Sequence, residues 1–391
     1  MANTILTPTA VTREALRILH QKCTFLSNIN KQYDSSFAKE GAKIGDSLKI
    51  RLPNQYTVRT GLNMVAQDTT ESSTTLQVAT VKGVDLNFSS QDLTLSLDDF
   101  SKRIIEPAMS VLASSIEADC LQTMIKQVWQ STDNSAITMA QVLQARRKLQ
   151  DALAPPDNRV CLLNSNDSAV LVDALKGNFN DSKAIAKQYI DGYMTRMGGL
   201  DFYESTHLAD QARGAGASYQ TNAATAQTGS TLVVDTGTGL VDVGSIITIA
   251  GVNRVHPETK VDTGELMQFV VTSNNATNAT SLGISPAIIA TGATQNVTNG
   301  AANDKAVTIL GTAGTNYGQS LVFQKDAFTF ATADLIMPSG VDFAAREVMD
   351  GISMSIVRDF NIADRSFPAR VDVLYGFKAI RPELACRIAS A

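Results

Sequence analysis

The stretch Leu321–Gly340, LVFQKDAFTFATADLIMPSG, decides how this chain divides. Its mixed aliphatic and aromatic residues read as packed core. The residues before it do not. From 216 to 320 only Arg254, Lys260 and Lys305 are basic, and Gly, Ala, Thr, Asn and Val dominate. Within that span TLVVD, SIITIAGV, LMQFVVTS, LGISPAII and KAVTIL are short β-type runs separated by Gly/Asn/Asp turns, the pattern of a small all-β barrel or sandwich. These runs are too apolar to stay solvated, and only 291–304, TGATQNVTNGAAND, reads as loose. A chain can leave a core and return to it when a guest domain has its ends close together at the surface. Residues 216–320 are therefore predicted to be an inserted barrel-like domain, and 321–391 the return to the body. In that return GISMSIVRDF alternates Ile352, Met354 and Ile356 as a strand.

Upstream, TREALRILHQK (12–22) predicts a short amphipathic helix with Thr12 as N-cap and Glu14 in the first turn. The polar tail before it is of the kind that orders against a partner. DSLKIRL (46–52) switches to period two, with Leu48, Ile50 and Leu52 on one face. TGLNMVAQDTTESSTT is polar and turn-like, and TLQVATV (75–81) and GVDLNF (83–88) return as strand. Residues 42–90 thus predict a long two-stranded excursion with a soft tip. A lone hairpin is marginal in water, so it must lie on something, and that neighbour need not be in the same chain.

In 97–129, Phe100, Ile104, Ala108, Leu112, Ile116, Cys120 and Met124 step by four. The spacing predicts one helix of roughly thirty residues, about 45 Å long. Pro107 inside it predicts a kink or a later start. TMAQVLQARRKLQDALAPP (138–156) is a helix with a Thr138–Gln141 capping box and two prolines as its stop. RVCLLN (159–164) is a buried strand, SAVLVDALKG (168–177) and KAIAKQYIDGYM (183–194) are helices, and GGLDFYES (198–205) is a strand after a tight turn. The body between 130 and 210 is therefore α/β or α+β.

Chemistry is sparse. The chain of 391 residues is long enough for more than one unit, 44% apolar and 18% charged, with net charge −5. That balance gives no molecule-wide affinity for nucleic acid, though it leaves room for a local basic patch. Cys23, Cys120, Cys161 and Cys386 form no CxxC pair, which points to reduced thiols and no cysteine-held zinc. His20, His207 and His256 are each solitary, and no GxSxG, HExxH or P-loop is present. GTGLVDVG (237–244) has a loop's glycines but no following helix, and reads as a turn. The acidic pairs Asp98–Asp99 and Glu117–Asp119 read as solvated faces or intersubunit bridges. Arg146, Arg147 and Lys148 read as the wet face of a helix, with packaged nucleic acid or a neighbouring subunit as the functional alternative. MANTILTPTA is no signal peptide, and no run approaches the roughly 18 apolar residues of a membrane span. No cofactor, metal or catalytic residue is expected.

The order of these pieces, and the stretches MANTILTPTAVTREALRIL, GDSLKIRLP, VDVGSIITIAGVNRVHPETK, LMQFVV, LVFQKDAFTFATADL and LYGFKAIRPELACRI, resemble the major capsid proteins of tailed bacteriophages with the HK97-type fold. Among these the chain is most similar to the P22-like coat proteins that carry an inserted domain. The resemblance implies an α+β HK97-like fold with an all-β barrel-like insert. It implies an N-arm (1–41), an extended E-loop (42–90), a P-domain with its spine helix (91–154), an A-domain and P-domain body (155–215), the insert (216–320) and the return (321–391). It also implies a structural role: self-assembly as pentamers and hexamers into an icosahedral head enclosing double-stranded DNA. The partners it implies are a scaffolding protein, a portal at one vertex and DNA held non-specifically, with no membrane, assembly in the bacterial cytoplasm and residence in the virion. On this reading Lys49, Arg51, Tyr56, Arg59, Asp98, Asp99 and Arg254 are candidate intersubunit contacts, and Arg146, Arg147 and Lys148 a candidate genome-facing patch.

Some relatives weld an E-loop lysine to an asparagine of a neighbour. Here Lys43, Lys49 and Lys82 lie away from the tip QDTTESSTT, so that crosslink is not expected. The rival readings are a β-rich tail, baseplate or adhesin protein, which has no need of the 97–129 helix, and an encapsulin-like cargo shell, which lacks such an insert.

Overall fold

The stretch 321–340 does not continue as one element. In a computed structural model it breaks at a 3-10 turn, Lys325–Ala327, where Gln324 Oε1 accepts the Asp326 N–H at 2.7 Å. Ahead of the turn Asn316–Gln324 belongs to one sheet, and after it Phe328–Ala333 belongs to another. The chain accordingly forms two units: Met1–Arg51, Ser73–Cys120 and Phe328–Lys378 make the first, and Leu52–Ser72, Leu121–Ala327 and Ala379–Ala391 the second. The structure describes residues 8–32, 46–59, 61–64, 66, 73–88, 104–132, 136–175, 196–273, 277–335, 337–349, 351–362 and 366–390.

In the first unit the large sheet runs Asn30–Gln32, Phe328–Ala333, Phe367–Ala379, Ile352–Arg358, Phe343–Met349, and Thr80–Phe88 also pairs with Phe367–Ala379. Its aromatic interior includes Phe330 stacked on Tyr375 at 5.6 Å and Phe25 edge-on to Phe328 at 5.6 Å. Helix α1 (Pro8–Lys22) packs on Phe343–Met349 through Ala15, Leu16, Ile18 and Leu19. It starts earlier than expected. Pro8 supplies a fixed φ and has no N–H to lose at a helix start, while the expected cap Thr12 is fully buried inside the helix.

The long helix is shorter than its apolar stripe suggested. Helix α2 spans Glu106–Ile125, about 30 Å, with Pro107 tolerated in its first turn. Residues 97–103 of the expected helix lie outside the described residues. At the other end Gln127 and Val128 donate to Met124 and Ile125 in turns, which turns Trp129 into the core of the barrel.

In the second unit the sheet order is Ala385–Ser390, Asn316–Gln324, Arg159–Leu163, Leu200–Glu204, Arg196–Met197. Helix α3 (Met139–Asp151) has Thr138 as its N-cap, the hydroxyl accepting the Gln141 N–H at 3.3 Å. Helix α4 (Ser165–Leu175) begins three residues before the expected start because Asn164 caps it, accepting the Asp167 N–H at 2.7 Å. The expected helix at 183–194 lies outside the described residues.

The insert is a closed antiparallel barrel: Gly229–Asp235, Ser281–Ile288, Asp262–Ser273, Ile246–Val255, Ala306–Ile309 and Tyr219–Thr221, returning to the first. Closure leaves no open edge. Inward residues of alternating strands, among them Leu232, Ile247, Phe269, Val271 and Leu282, fill it. Residues 291–304 are not loose as expected. Val297 and Ala301 are fully buried in the barrel core, and Asn296 accepts the Ile289 N–H and donates to the Ala287 carbonyl. Backbone bonds between Gln227 and Ala301 and from Thr298 to Asn253 hold the polar segment further. His256 serves the turn after Ile246–Val255, its Nδ1 accepting the N–H groups of Glu258 and Thr259.

Candidate functional site

The excursion 42–90 is not one long two-stranded ribbon. Asp46–Arg51 pairs with Ser73–Val78 in register from Asp46 opposite Val78 to Arg51 opposite Ser73. The return strand then breaks at Ala79, and Thr80–Phe88 joins the large sheet instead. The physical cause is burial. Leu76 and Val78 pack with Ala331, Ala333 and Leu374, while Lys378 Nζ donates to the Thr75 carbonyl at 2.9 Å. The hairpin base is therefore clamped within its own chain. The residues between its strands are a different surface: Val58 is 95% exposed, Leu62 99% and Met64 82%, with Tyr56 also exposed. Such apolar side chains in water mark a contact surface. Of these, Tyr56 was expected as an intersubunit contact, whereas Leu62 and Met64 fell in the stretch read as turn, where two large apolar residues in a polar loop were the available signal.

In the first unit α2 carries a buried carboxylate. Glu117 is 1% exposed, and its Oε1 accepts the Phe25 N–H at 2.8 Å, tying the chain after α1 to α2. Two residues on, Asp119 Oδ2 accepts the Tyr375 hydroxyl at 2.6 Å and lies 3.4 Å from Lys82 Nζ. The pair Glu117–Asp119 was expected on a solvated face or at an intersubunit bridge. Glu117 instead faces inward, because α2 is packed on that side, while Asp119 stays a third exposed at its edge.

Burial pushes the Glu117 carboxyl up to about 7, against the pull of the Phe25 and Thr24 N–H groups and the Cys23 thiol. Cys23 is itself pushed up to about 12, and burial raises Cys120 further, so neither titrates in that range. The folded chain therefore holds the Glu117 proton more tightly than the unfolded chain does. Its contribution is full below pH 4.5 and is lost as pH rises through 7. Urea midpoints between pH 5 and 8 are expected to fall in the natural protein relative to Glu117→Gln, by on the order of 2–3 kcal/mol. The glutamine keeps the acceptor for Phe25. Identical pH slopes in the two proteins would refute this assignment.

The basic triplet on α3 is drawn toward the barrel. Lys148 Nζ donates to the Ser131 carbonyl and to Gln268 Oε1, both at 2.8 Å, and burial lowers its pKa. Arg147 pairs with Glu265 at 2.6 Å. Gln268 completes the clasp by donating to the Ser131 carbonyl at 3.0 Å and accepting the Ser131 N–H at 3.0 Å. Arg146 is half-buried beside Gly199. Arg254 lies over the Trp129 ring at 5.9 Å, where burial lowers its pKa. Lys49, Arg51 and Arg59 are exposed, and Arg59 donates to the carbonyls of Gly61 and Asn63. Lys82 is held by Ser115 at 3.0 Å as well as by Asp119. Asp98, Asp99 and Lys43 lie outside the described residues. All four cysteines are buried and free. Among the described residues no cluster of His, Cys, Asp and Glu could hold a metal ion, and no helix is long and apolar enough to cross a membrane.

A barrel inserted into a helix-and-sheet scaffold, with a clamped hairpin presenting an apolar surface, defines a structural shell subunit of the HK97-type capsid class. The family model described as "P22 coat protein - gene protein 5" matches residues 7–387, and the chain belongs to that family. It is a tailed-phage major capsid protein, a non-enzymatic subunit of an icosahedral shell and a component of the virion. No curated protein matches it by sequence. Among solved structures it is similar to one from Mycobacterium phage Che8 at 13% identity and a TM-score of 0.49, covering 94% of this chain and 90% of that one. It is also similar to the capsid of cyanophage P-SCSP1u at 11% identity and a TM-score of 0.45, over 93% and 86% of the two chains. A virus-like particle from Pyrococcus furiosus aligns at 8% identity and a TM-score of 0.41, over 97% of each.

Proposed function

We propose that this coat protein closes its shell as pentamers and hexamers in the host bacterial cytoplasm. It does so through a scaffolded procapsid built around a portal at one vertex, and the finished head encloses double-stranded DNA. The observation that carries this reading is the exposed apolar surface at Val58, Leu62 and Met64, which is costly to leave in water and is covered when a neighbouring subunit docks. Lys49, Arg51, Tyr56 and Arg59 supply polar contacts to that neighbour. Asp98, Asp99 and Arg254 supply further intersubunit contacts, and DNA is met non-specifically through basic residues including Arg146 and Arg147, Lys148 being held within the chain by Ser131 and Gln268.

Electron microscopy of the protein expressed alone and with its neighbouring phage genes tests the assembly route. Uniform closed shells that need a second gene product support it. Rods, rings or monomers under both conditions count against it. Val58→Asp combined with Leu62→Asp is expected to cut shell yield at least about tenfold while leaving monomer stability within about 0.5 kcal/mol. Sedimentation of shells and urea midpoints of the monomer are the paired measurements, and shells at normal yield would remove this surface from the interface.

A further inference from the structure

A half-open cavity of about 30 Å³ lies in the second unit at the root of the barrel. Arg213 lines it from the segment leading into the barrel, Gly244 and Ser245 from the start of a barrel strand, and Tyr317, Gln319 and Arg387 from the sheet. Among the described residues two guanidinium groups line this cavity and no carboxylate does.

Arg387 is 2% exposed, and its Nη2 donates to the Gly244 carbonyl at 2.8 Å. Arg213 Nη1 donates to the Gly216 carbonyl at 2.7 Å and Nη2 to the Ile309 carbonyl at 3.3 Å. The Nε of each is buried and without a hydrogen-bond partner, and among the described residues neither side chain forms an ion pair. Carbonyl dipoles satisfy some of the N–H groups but leave the fully buried Arg387 charge, and beside it the part-buried Arg213 charge, without a counter-ion among the described residues. Buried charges are ordinarily paired, because an isolated ion in a medium of low polarity is costly. Burial pulls the Arg387 pKa down to about 10, which still leaves it protonated at neutral pH.

We propose that this cavity binds one small monovalent anion of the size and charge of chloride, held by the Nε–H groups of Arg387 and Arg213. The volume suits it, since a water needs about 10–15 Å³ on the same scale and a halide little more. A water molecule would accept the two N–H groups but would not offset the charge. The cavity wall includes residues flanking both crossings of the chain between sheet and barrel, Arg213 on entry and Leu310 on exit. The anion therefore acts as a pin at the root of the insert.

The test uses the 391-residue chain in sodium chloride and in sodium gluconate at matched ionic strength, with barrel unfolding followed through Trp129. Chloride is expected to raise the midpoint by about 1–3 °C per tenfold increase above its dissociation constant, and to show broadened chlorine-35 resonance in the presence of the protein. Arg387→Met removes one cation with little loss of packing and is expected to abolish both effects. If that variant does not fold, Arg213→Gln is expected to weaken chloride at least about tenfold in the same two readouts. Equal midpoints in the two salts, or a chloride increment undiminished in the variant that folds, overturns the proposal and leaves the cavity to water.

Discussion

Gly237→Ala is expected to destabilise the barrel by about 3 kcal/mol, read as a lower urea midpoint for the emission of Trp129. A methyl group at Gly237 falls within the ring of Tyr219, meeting three of its carbons at once. The ring cannot step aside. Tyr219 is 1% exposed, its hydroxyl donates to the Gly239 carbonyl at 2.6 Å, and the same oxygen accepts the Ala279 N–H at 3.2 Å. Tyr219 also lies in the short strand Tyr219–Thr221, which closes the barrel by pairing with strands on both sides. Displacing it opens the ladder as well as the core. Trp129 is the single tryptophan and packs in this same cluster, so its emission isolates the barrel from the rest of the molecule. An unchanged midpoint would mean that Tyr219 is not the pin described here.

Gly376→Ala is expected to cost the first unit a comparable amount, at least about 3 kcal/mol, and to release the arm. A side chain at Gly376 lands on the carbonyl of Gln77, where two backbones cross without a side chain between them. Neither backbone is free to retreat. On one side Tyr375 and Phe377 stack at 6.1 Å, Tyr375 stacks on Phe330, and its hydroxyl binds Asp119. On the other side Leu76 and Val78 are buried and Thr75 is held by Lys378. Trypsin cleavage after Lys49 and Arg51 is expected to accelerate more than about tenfold, because the strand Asp46–Arg51 is paired with the displaced one. Shell assembly should fail in parallel. Unchanged cleavage with normal shells would show that the hairpin base is not the clamp.

Much of the fold was legible because period and turn chemistry are local. The barrel's short β-branched apolar runs, set apart by Gly/Asn/Asp turns, fall where the strands Gly229–Asp235, Ile246–Val255, Asp262–Ser273, Ser281–Ile288 and Ala306–Ile309 do. The closing strand Tyr219–Thr221 has only three residues and carries no period to read. The stripe of α2 was legible in its spacing but not in its ends. At its C-terminal end Trp129 gains more from the barrel core than from one further helical turn.

The candidate site was less legible, since charge class does not say which way a side chain points. Lys148 looked like part of a wet face and is drawn to Gln268 and Ser131, whereas Arg147 stays more than half exposed while it pairs with Glu265. Glu117 looked solvated and holds the Phe25 N–H in the interior.

By itself the sequence determined that a β insert interrupts an α+β body, that a hairpin leaves that body, and that no constellation of catalytic residues is present. Each follows from residue types at short range, where hydrophobic period and turn formers act without reference to distant chain. Only the tertiary structure decided that Leu321–Gly340 serves two sheets, that Arg387 and Arg213 share one cavity, and that Gly237 and Gly376 are close crossings. Those outcomes rest on burial beyond the reach of local period, in which the cost of desolvating a charge or admitting a methyl group depends on which other strand or turn arrives beside it.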